Sequence, residues 1–230
     1  HYIVHLSAGG TVPELRAARA RGSRVVAETC PQYLVLDHHA YGAPGGDEPR
    51  ARAAVMSPPL RAPEDQDVLW AALADGTISF VGTDHCSFTL AQKAAAADFS
   101  AVPNGAPGIE LRLGLLYTHG VAAGRLTPER FVAVTSENAA RYFGLYPRKG
   151  TLLPGSDADV VVYDPEPTWV VRHEELHDAA GHTPYEGLTI AGRVRDVFLR
   201  GHHLVDDYEL VPEPPPAQFL RCGLPDGGVR

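Results

Sequence analysis

Two residues carry the chemistry that this sequence offers most plainly. His5 closes the apolar run His1-Tyr2-Ile3-Val4-His5-Leu6, and Asp84 closes a second run, Ile78-Ser79-Phe80-Val81-Gly82-Thr83-Asp84. An imidazole nitrogen and a carboxylate oxygen together suit a hard or borderline divalent cation, zinc in particular. A carboxylate beside a metal-bound water can take up its proton and return it to a leaving nitrogen. Asp84 is therefore expected to serve as ligand and general base at once. Residue type and spacing leave a plainer alternative open, in which His5 is a strand-end histidine satisfied by its neighbours and Asp84 caps the next segment.

Such a pair works only if the chain brings it together, and the pattern between the two residues alternates between strand and helix. Thr11 and Glu14 have capping-box spacing, Leu15 and Ala18 follow, and Gly22 stops the run, so a helix is expected over residues 12–21. Val25-Val26-Ala27-Glu28-Thr29-Cys30 reads as a strand stopped by Pro31. Pro63 opens a helix with Val68, Leu69, Ala72 and Leu73 on its buried stripe, ending near Gly76 ahead of the run to Asp84. A longer helix is expected from Pro107 to about Ala123, then short helices capped at Thr127 and Ser136, the last ending at Gly144.

This is the βα order of a parallel sheet. Three such units cannot close an eight-stranded barrel, yet they suffice for its last three strands, about strands 6–8. His1 already stands inside a strand run, so the chain is expected to be the downstream part of something larger. In such barrels catalytic residues sit at the C-terminal strand ends. His5, Asp84, Glu28 to Cys30 and the Ser57-Pro58-Pro59-Leu60 loop all fall there.

After about residue 147 the texture changes to short β runs, at Gly150-Thr151-Leu152-Leu153 and over 158–163, 168–171 and 194–199. Pro154-Gly155-Ser156-Asp157, Asp164-Pro165 and Gly201 separate them as turn signals. The expected organisation is an α/β unit over 1–147, a small antiparallel β-sandwich segment over 148–205, and an extended acidic, Pro-rich tail over 206–230.

Composition excludes several partners. A net charge of -8 argues against nucleic acid and anionic membrane surfaces, which need clustered Lys and Arg. Arg16, Arg19, Arg21 and Arg24 do cluster, but helical geometry spreads them over a solvated face. Cys30, Cys86 and Cys222 are odd in number and lack CxxC spacing, which fits a reducing compartment. No apolar run is long enough for a membrane span, so a cytoplasmic soluble protein is expected.

Five ordered blocks then resemble one family. They are Ile3-Val4-His5-Leu6-Ser7, Ala27-Glu28-Thr29-Cys30-Pro31-Gln32-Tyr33-Leu34, Ser57-Pro58-Pro59-Leu60-Arg61, Thr83-Asp84-His85-Cys86 and Pro103-Asn104-Gly105-Ala106-Pro107-Gly108-Ile109-Glu110. Together they resemble the hydantoinases and dihydropyrimidinases among the cyclic amidohydrolases. Gly150-Thr151, Gly155-Ser156-Asp157-Ala158-Asp159-Val160-Val161 and Tyr185-Glu186-Gly187 resemble the part where family members leave the barrel for a β-sandwich. The resemblance implies a metal-dependent (β/α)8 barrel, a sandwich shared by both ends of the chain, and commonly a homotetramer.

Carried over by residue, it makes His5 the histidine ligand of strand six and Asp84 the aspartate of strand eight, at a binuclear Zn2+ centre. Asp84 would also move the proton of the bridging hydroxide. Ser57 and Asn104 would hold a small cyclic amide through main-chain groups. His85 and Cys86 would stand beside the metal, although a small buried residue is the favoured reading of Cys86, and Glu28, Thr29 and Cys30 would shape the pocket floor. The implied reaction opens a hydantoin or dihydropyrimidine to an N-carbamoyl amino acid.

The family's His-x-His pair, its carboxylated lysine and a further histidine would lie upstream of His1. Lys93, in a loop after strand eight, and Lys149, at the domain junction, do not replace that lysine. The isolated chain is therefore expected to be inactive and to expose two unpaired parallel sheet edges, with poor solubility or association as the result. A non-catalytic assembly protein and an allantoinase- or dihydroorotase-type enzyme are the alternatives. The retention of His5 and Asp84 weighs against the first, and Gln32 with the block from Asn104 to Gly108 weighs against the second.

Overall fold

A computed structural model describes residues 1–42 and 48–225. Three short strands, β1 (Tyr2–Ile3), β2 (Val26–Thr29) and β3 (Phe80–Val81), pair in parallel in the order β1-β2-β3. Tyr2 stands opposite Val26, and Glu28 opposite Phe80. Helix α1 (Val12–Ala20) connects the first two strands; α2 (Pro31–Val35), α3 (Glu48–Ala53) and α4 (Pro63–Ala74) lie between the second and third. After β3 come α5 (Leu90–Ala94) and α6 (Arg112–Leu116), the latter running on as a π-helical turn, Tyr117–Ala122. Helices α7 (Pro128–Val132) and α8 (Asn138–Tyr142) are joined by a second π-helical stretch, Ala133–Glu137, and Gly144 at φ +66° ends the run.

Parallel strands need cover on both faces, and the two covers differ in kind. On the outer face Ala27 and Val81 join Leu69 and Leu73 of α4 in the main apolar core. On the inner face the Tyr2 and Phe80 rings lie 5.5 Å apart although β2 separates their strands. Two strand spacings amount to roughly 10 Å, so rings that meet must stand inside a curled sheet. Tyr142 closes the floor 5.1 Å from Tyr2, whose hydroxyl donates to the Glu28 carboxylate. Gly82 lies on this face too, since a Cβ there would stand 2.6 Å from Glu28 Oε2. Phe80 and Gly82, two residues apart, thus share the inner side.

The second sheet is antiparallel, β4 (Val160–Val170), β5 (Thr189–Leu199), β6 (His202–Asp206) and β7 (Glu209–Leu210) in that order. It docks on the helical layer through a separate apolar cluster in which Leu111 and Leu115 meet Val171, Tyr185 and Ile190. Among the described residues, no helix is long and apolar enough to cross a membrane.

Several expected boundaries move, each for a local reason. Thr11 does not cap α1; it closes a 3-10 turn, with its hydroxyl donating to Ala8 O. The Pro107 helix starts only at Arg112, because Cys86 N donates to Ala106 O and the Gly108 and Ile109 amides go to His85. Ser136 lies inside a continuous helix and caps nothing. Residues 150–153 form no strand, and Leu152 is 73% exposed. Asp164-Pro165 is not a turn but lies at a register shift within β4, where a proline without an N–H interrupts the ladder. Lys93 is in α5 rather than in a loop, and it is fully buried.

The arginines of α1 are not merely a solvated face. Arg16 pairs with Asp75, and Arg19 donates to Val25 O and Gly76 O, pinning the helix to the turn before β3. Toward the C-terminal end Arg200 Nη2 of the antiparallel sheet donates to Pro216 O, and Gly223 N donates to Gly144 O after α8.

Gly114 lies at a close approach of α6 to the second sheet, since a Cβ there would stand 2.8 Å from Ile190 Cγ2. Gly114→Ala is expected to destabilise the protein by about 1–3 kcal/mol through overpacking. Urea denaturation measures this, and an unchanged midpoint would mean that helix and sheet separate without cost.

Candidate active site

His5 and Asp84 follow the C-terminal ends of β1 and β3 and adopt left-handed backbone conformations, with φ +39° and +48°. For residues other than glycine this conformation costs on the order of 1–3 kcal/mol and persists only where the surroundings enforce it. Among the described residues the other non-glycine cases are Arg200, Asp207 and Tyr208, all in hairpin turns of the antiparallel sheet. His5 and Asp84 instead stand where parallel strands give way to loops. Neither their ring nor their carboxylate has a hydrogen-bond partner among the described residues. His5 is half-buried and Asp84 exposed.

The end of β2 holds both main chains. Leu6 N donates to Glu28 O at 2.8 Å, and Thr29 Oγ1 donates to Leu6 O at 2.7 Å. On the other side Gly82 N donates to Thr29 O at 3.0 Å, and Gln32 Nε2 reaches Thr83 O at 3.4 Å. Glu28 and Thr29 thus tie together the two segments that carry the candidate ligands. Burial, then the Glu28 and Asp84 charges, push the Cys30 thiol far up, so it stays protonated and inert.

Ser57 and Asn104 come together from distant parts of the sequence. Ser57 Oγ donates to Asn104 Oδ1 at 3.1 Å, and Gly105 N donates to Val55 O at 3.1 Å. Both side chains are exposed, at an open cavity of about 730 Å³ with Tyr41, Met56, Pro59, Phe99 and Val102 among its walls. Tyr33 donates to Pro58 O at 3.0 Å, the Leu60 amide to the Tyr41 hydroxyl at 2.8 Å, and Arg61 Nε to Ser7 Oγ at 3.2 Å. The last bond ties this loop to the segment that follows His5. Gly105, at φ +147°, passes so close to Cys86 that a Cβ would stand 2.4 Å from Cys86 O.

His85 makes contacts that the sequence does not announce, and Cys86 differs in burial from the reading favoured for it. His85 Nδ1 accepts from the Gly108 and Ile109 amides at 3.1 and 3.2 Å, which places its ring proton on Nε2. It organises the loop that carries Asn104. Cys86 is exposed, not a small buried residue. Lys93 is expected in a loop, and the sequence announces neither its burial nor its contacts: burial lowers its pKa to about 8, and its ammonium donates to the main-chain carbonyls of Val55 and Pro103. No periodicity signals it, because α5 is only one turn long.

An imidazole nitrogen and a carboxylate oxygen without other partners fit a zinc-type ion as donors, but two donors do not complete a tetrahedral set. Groups of three possible ligands among the described residues lie elsewhere, at His173, Glu174 and Glu186 and at Asp196, His203 and Asp206. Neither includes His5 or Asp84.

The model of the amidohydrolase family matches residues 3–204. D-phenylhydantoinase of Escherichia coli (strain K12 / DH10B) is 46% identical over 222 residues, covering 96% of this chain and 47% of that protein. A dihydropyrimidinase from Brevibacillus agri NCHU1002 has a similar structure, with TM-score 0.88, 42% identity and coverage of 91% of this chain and 45% of that one. An L-hydantoinase (dihydropyrimidinase) from Arthrobacter aurescens gives 0.83 and 30%, covering 92% of this chain and 46% of that one. The chain therefore spans about half the length of the curated relatives it matches. It belongs to the amidohydrolase family.

Proposed function

We propose that this chain supplies part of a metal-dependent enzyme that opens hydantoins or dihydropyrimidines to N-carbamoyl amino acids. The reading rests on one observation above others: both candidate ligands are held in left-handed conformations at the ends of parallel strands in one curled sheet. The names of its relatives support it, as does the convergence of Ser57 and Asn104. In this reading residues 1–147 are the last three strands and helices of a (β/α)8 barrel, 148–205 a β-sandwich segment and 206–230 a tail. The complete enzyme would be a cytoplasmic homo-oligomer, a tetramer as is common in the family.

His5 would hold one of two divalent ions, zinc first among them, through an imidazole nitrogen, and Asp84 would hold an ion through a carboxylate oxygen. When bound, the ions polarise the ring carbonyl and lower the pKa of water at the site. Asp84 takes the proton of the attacking water and delivers it to the ring nitrogen as the C–N bond breaks. The main chain at Ser57 and Asn104 holds the cyclic amide in line with that attack, and Glu28 and Cys30 act only as floor. The remaining metal ligands come from outside this chain's residues.

Two outcomes are expected. In the full-length protein, Asp84→Asn lowers kcat for hydantoin opening by about 100- to 10,000-fold, while Ser57→Ala, which spares the main chain, changes it by less than about threefold. Chromatographic assay of the N-carbamoyl product measures both, and an active Asp84→Asn enzyme would refute the assignment. The isolated chain is expected to bind no binuclear centre and to show no turnover. Elemental analysis finding two metals per chain, together with steady hydrolysis, would overturn that.

A further inference from the structure

We propose that Lys93 is a positioning residue for the substrate cavity, its buried ammonium clamping the loop that carries Ser57 to the loop that carries Asn104. The lysine is fully buried, which is rare for its type without partners that justify the desolvation. Its partners are two main-chain carbonyls. Nζ donates to Val55 O at 2.9 Å and to Pro103 O at 3.0 Å. Val55 stands two residues before Ser57, and Pro103 directly precedes Asn104. The Gly105 amide donates to the same Val55 carbonyl at 3.1 Å, so one ammonium and one peptide group set the separation of the two loops.

The clamp itself is fixed. Thr89 and Gln92 form a reciprocal capping box at the start of α5, at 2.8 and 3.2 Å. At its other end Arg52 Nη1 donates to Lys93 O at 3.1 Å and to Ala96 O at 2.9 Å, where a cation also suits the helix dipole. Lys93 therefore cannot swing away without breaking contacts at both ends of its helix. An apolar side chain of equal length would fill the space, deprive the Pro103 carbonyl of its Lys93 donor and leave the Val55 carbonyl with the Gly105 amide alone.

The functional consequence rests on the proposed reading, in which main-chain groups at Ser57 and Asn104 hold the cyclic amide. Those groups are useful only at a fixed separation, because small displacements of positioning groups cost rate steeply. Loosening the loops should weaken substrate capture more than it disturbs Asp84, whose preceding main chain is held at Thr83 O by Gln32 and not by Lys93.

The test is Lys93→Met in the full-length protein, with amide hydrogen exchange and hydantoin kinetics. The expected result is faster exchange at Gly105 and through residues 55–60, unchanged exchange in α4, unchanged metal content, and kcat/KM at least about tenfold lower with the larger part in KM. Wild-type exchange at the loops together with wild-type kcat/KM would overturn the proposal, even if the protein were less stable. Should the variant fail to fold, exchange in the wild-type protein decides: the two loops must open with one shared rate, and independent opening refutes the clamp. Exchange needs no substrate, so a protein that fails to open hydantoins but shows the coupled loops would refute the proposed function and leave the clamp standing.

Discussion

The structure depends on the requirement that parallel strands be covered on both faces. Helices meet it on the outer side with ordinary apolar packing. On the inner side the sheet meets it by curling until its own side chains touch, with Tyr2 against Phe80 and Tyr142 below. Curling brings the inner-face rings of the first and third strands together, and His5 and Asp84 follow the C-terminal ends of those two strands. The close approach at Gly82 is part of the same economy, because a side chain there would displace the Glu28 carboxylate that Tyr2 holds.

Above that floor the site is organised by polar groups that are spent on main chain rather than on each other. Thr29 and Gln32 hold the segments beside His5 and Asp84, and His85 gathers the amides of the Asn104 loop. Lys93 draws two loops together from behind. Each of these side chains satisfies backbone that no regular element could satisfy, as buried loops require. The candidate ligands are left without such duties.

What could be read in the sequence follows from the range of the forces involved. The strand-helix order, the βα succession and the positions of His5 and Asp84 at strand ends are local signals, and they appear where apolar period and proline or glycine punctuation agree. Element limits were less legible where a distant residue competes for an amide: nothing near Pro107 announces that His85 takes the Gly108 and Ile109 donors and delays the helix. Asp164-Pro165 looked like a turn because local chemistry cannot reveal that a partner strand carries the chain straight through a bulge. Lys93 reads as a loop residue because the carbonyls that receive its ammonium belong to residues 55 and 103, outside its own helix. The left-handed conformations of His5 and Asp84 have no sequence signature either, since neither is glycine.

Gly144 performs two tasks with one missing side chain. Its φ of +66° ends the helical run, and its bare Cα admits the tail, since a Cβ would stand 2.3 Å from Gly223 C. Ending a helix and seating a returning chain are usually independent matters that can drift separately among homologues. Here they share an atom's worth of space, so a replacement such as asparagine, which commonly tolerates the helix-ending conformation, would still evict the tail. Variation at this position is thus tied to the length and path of a segment almost eighty residues away.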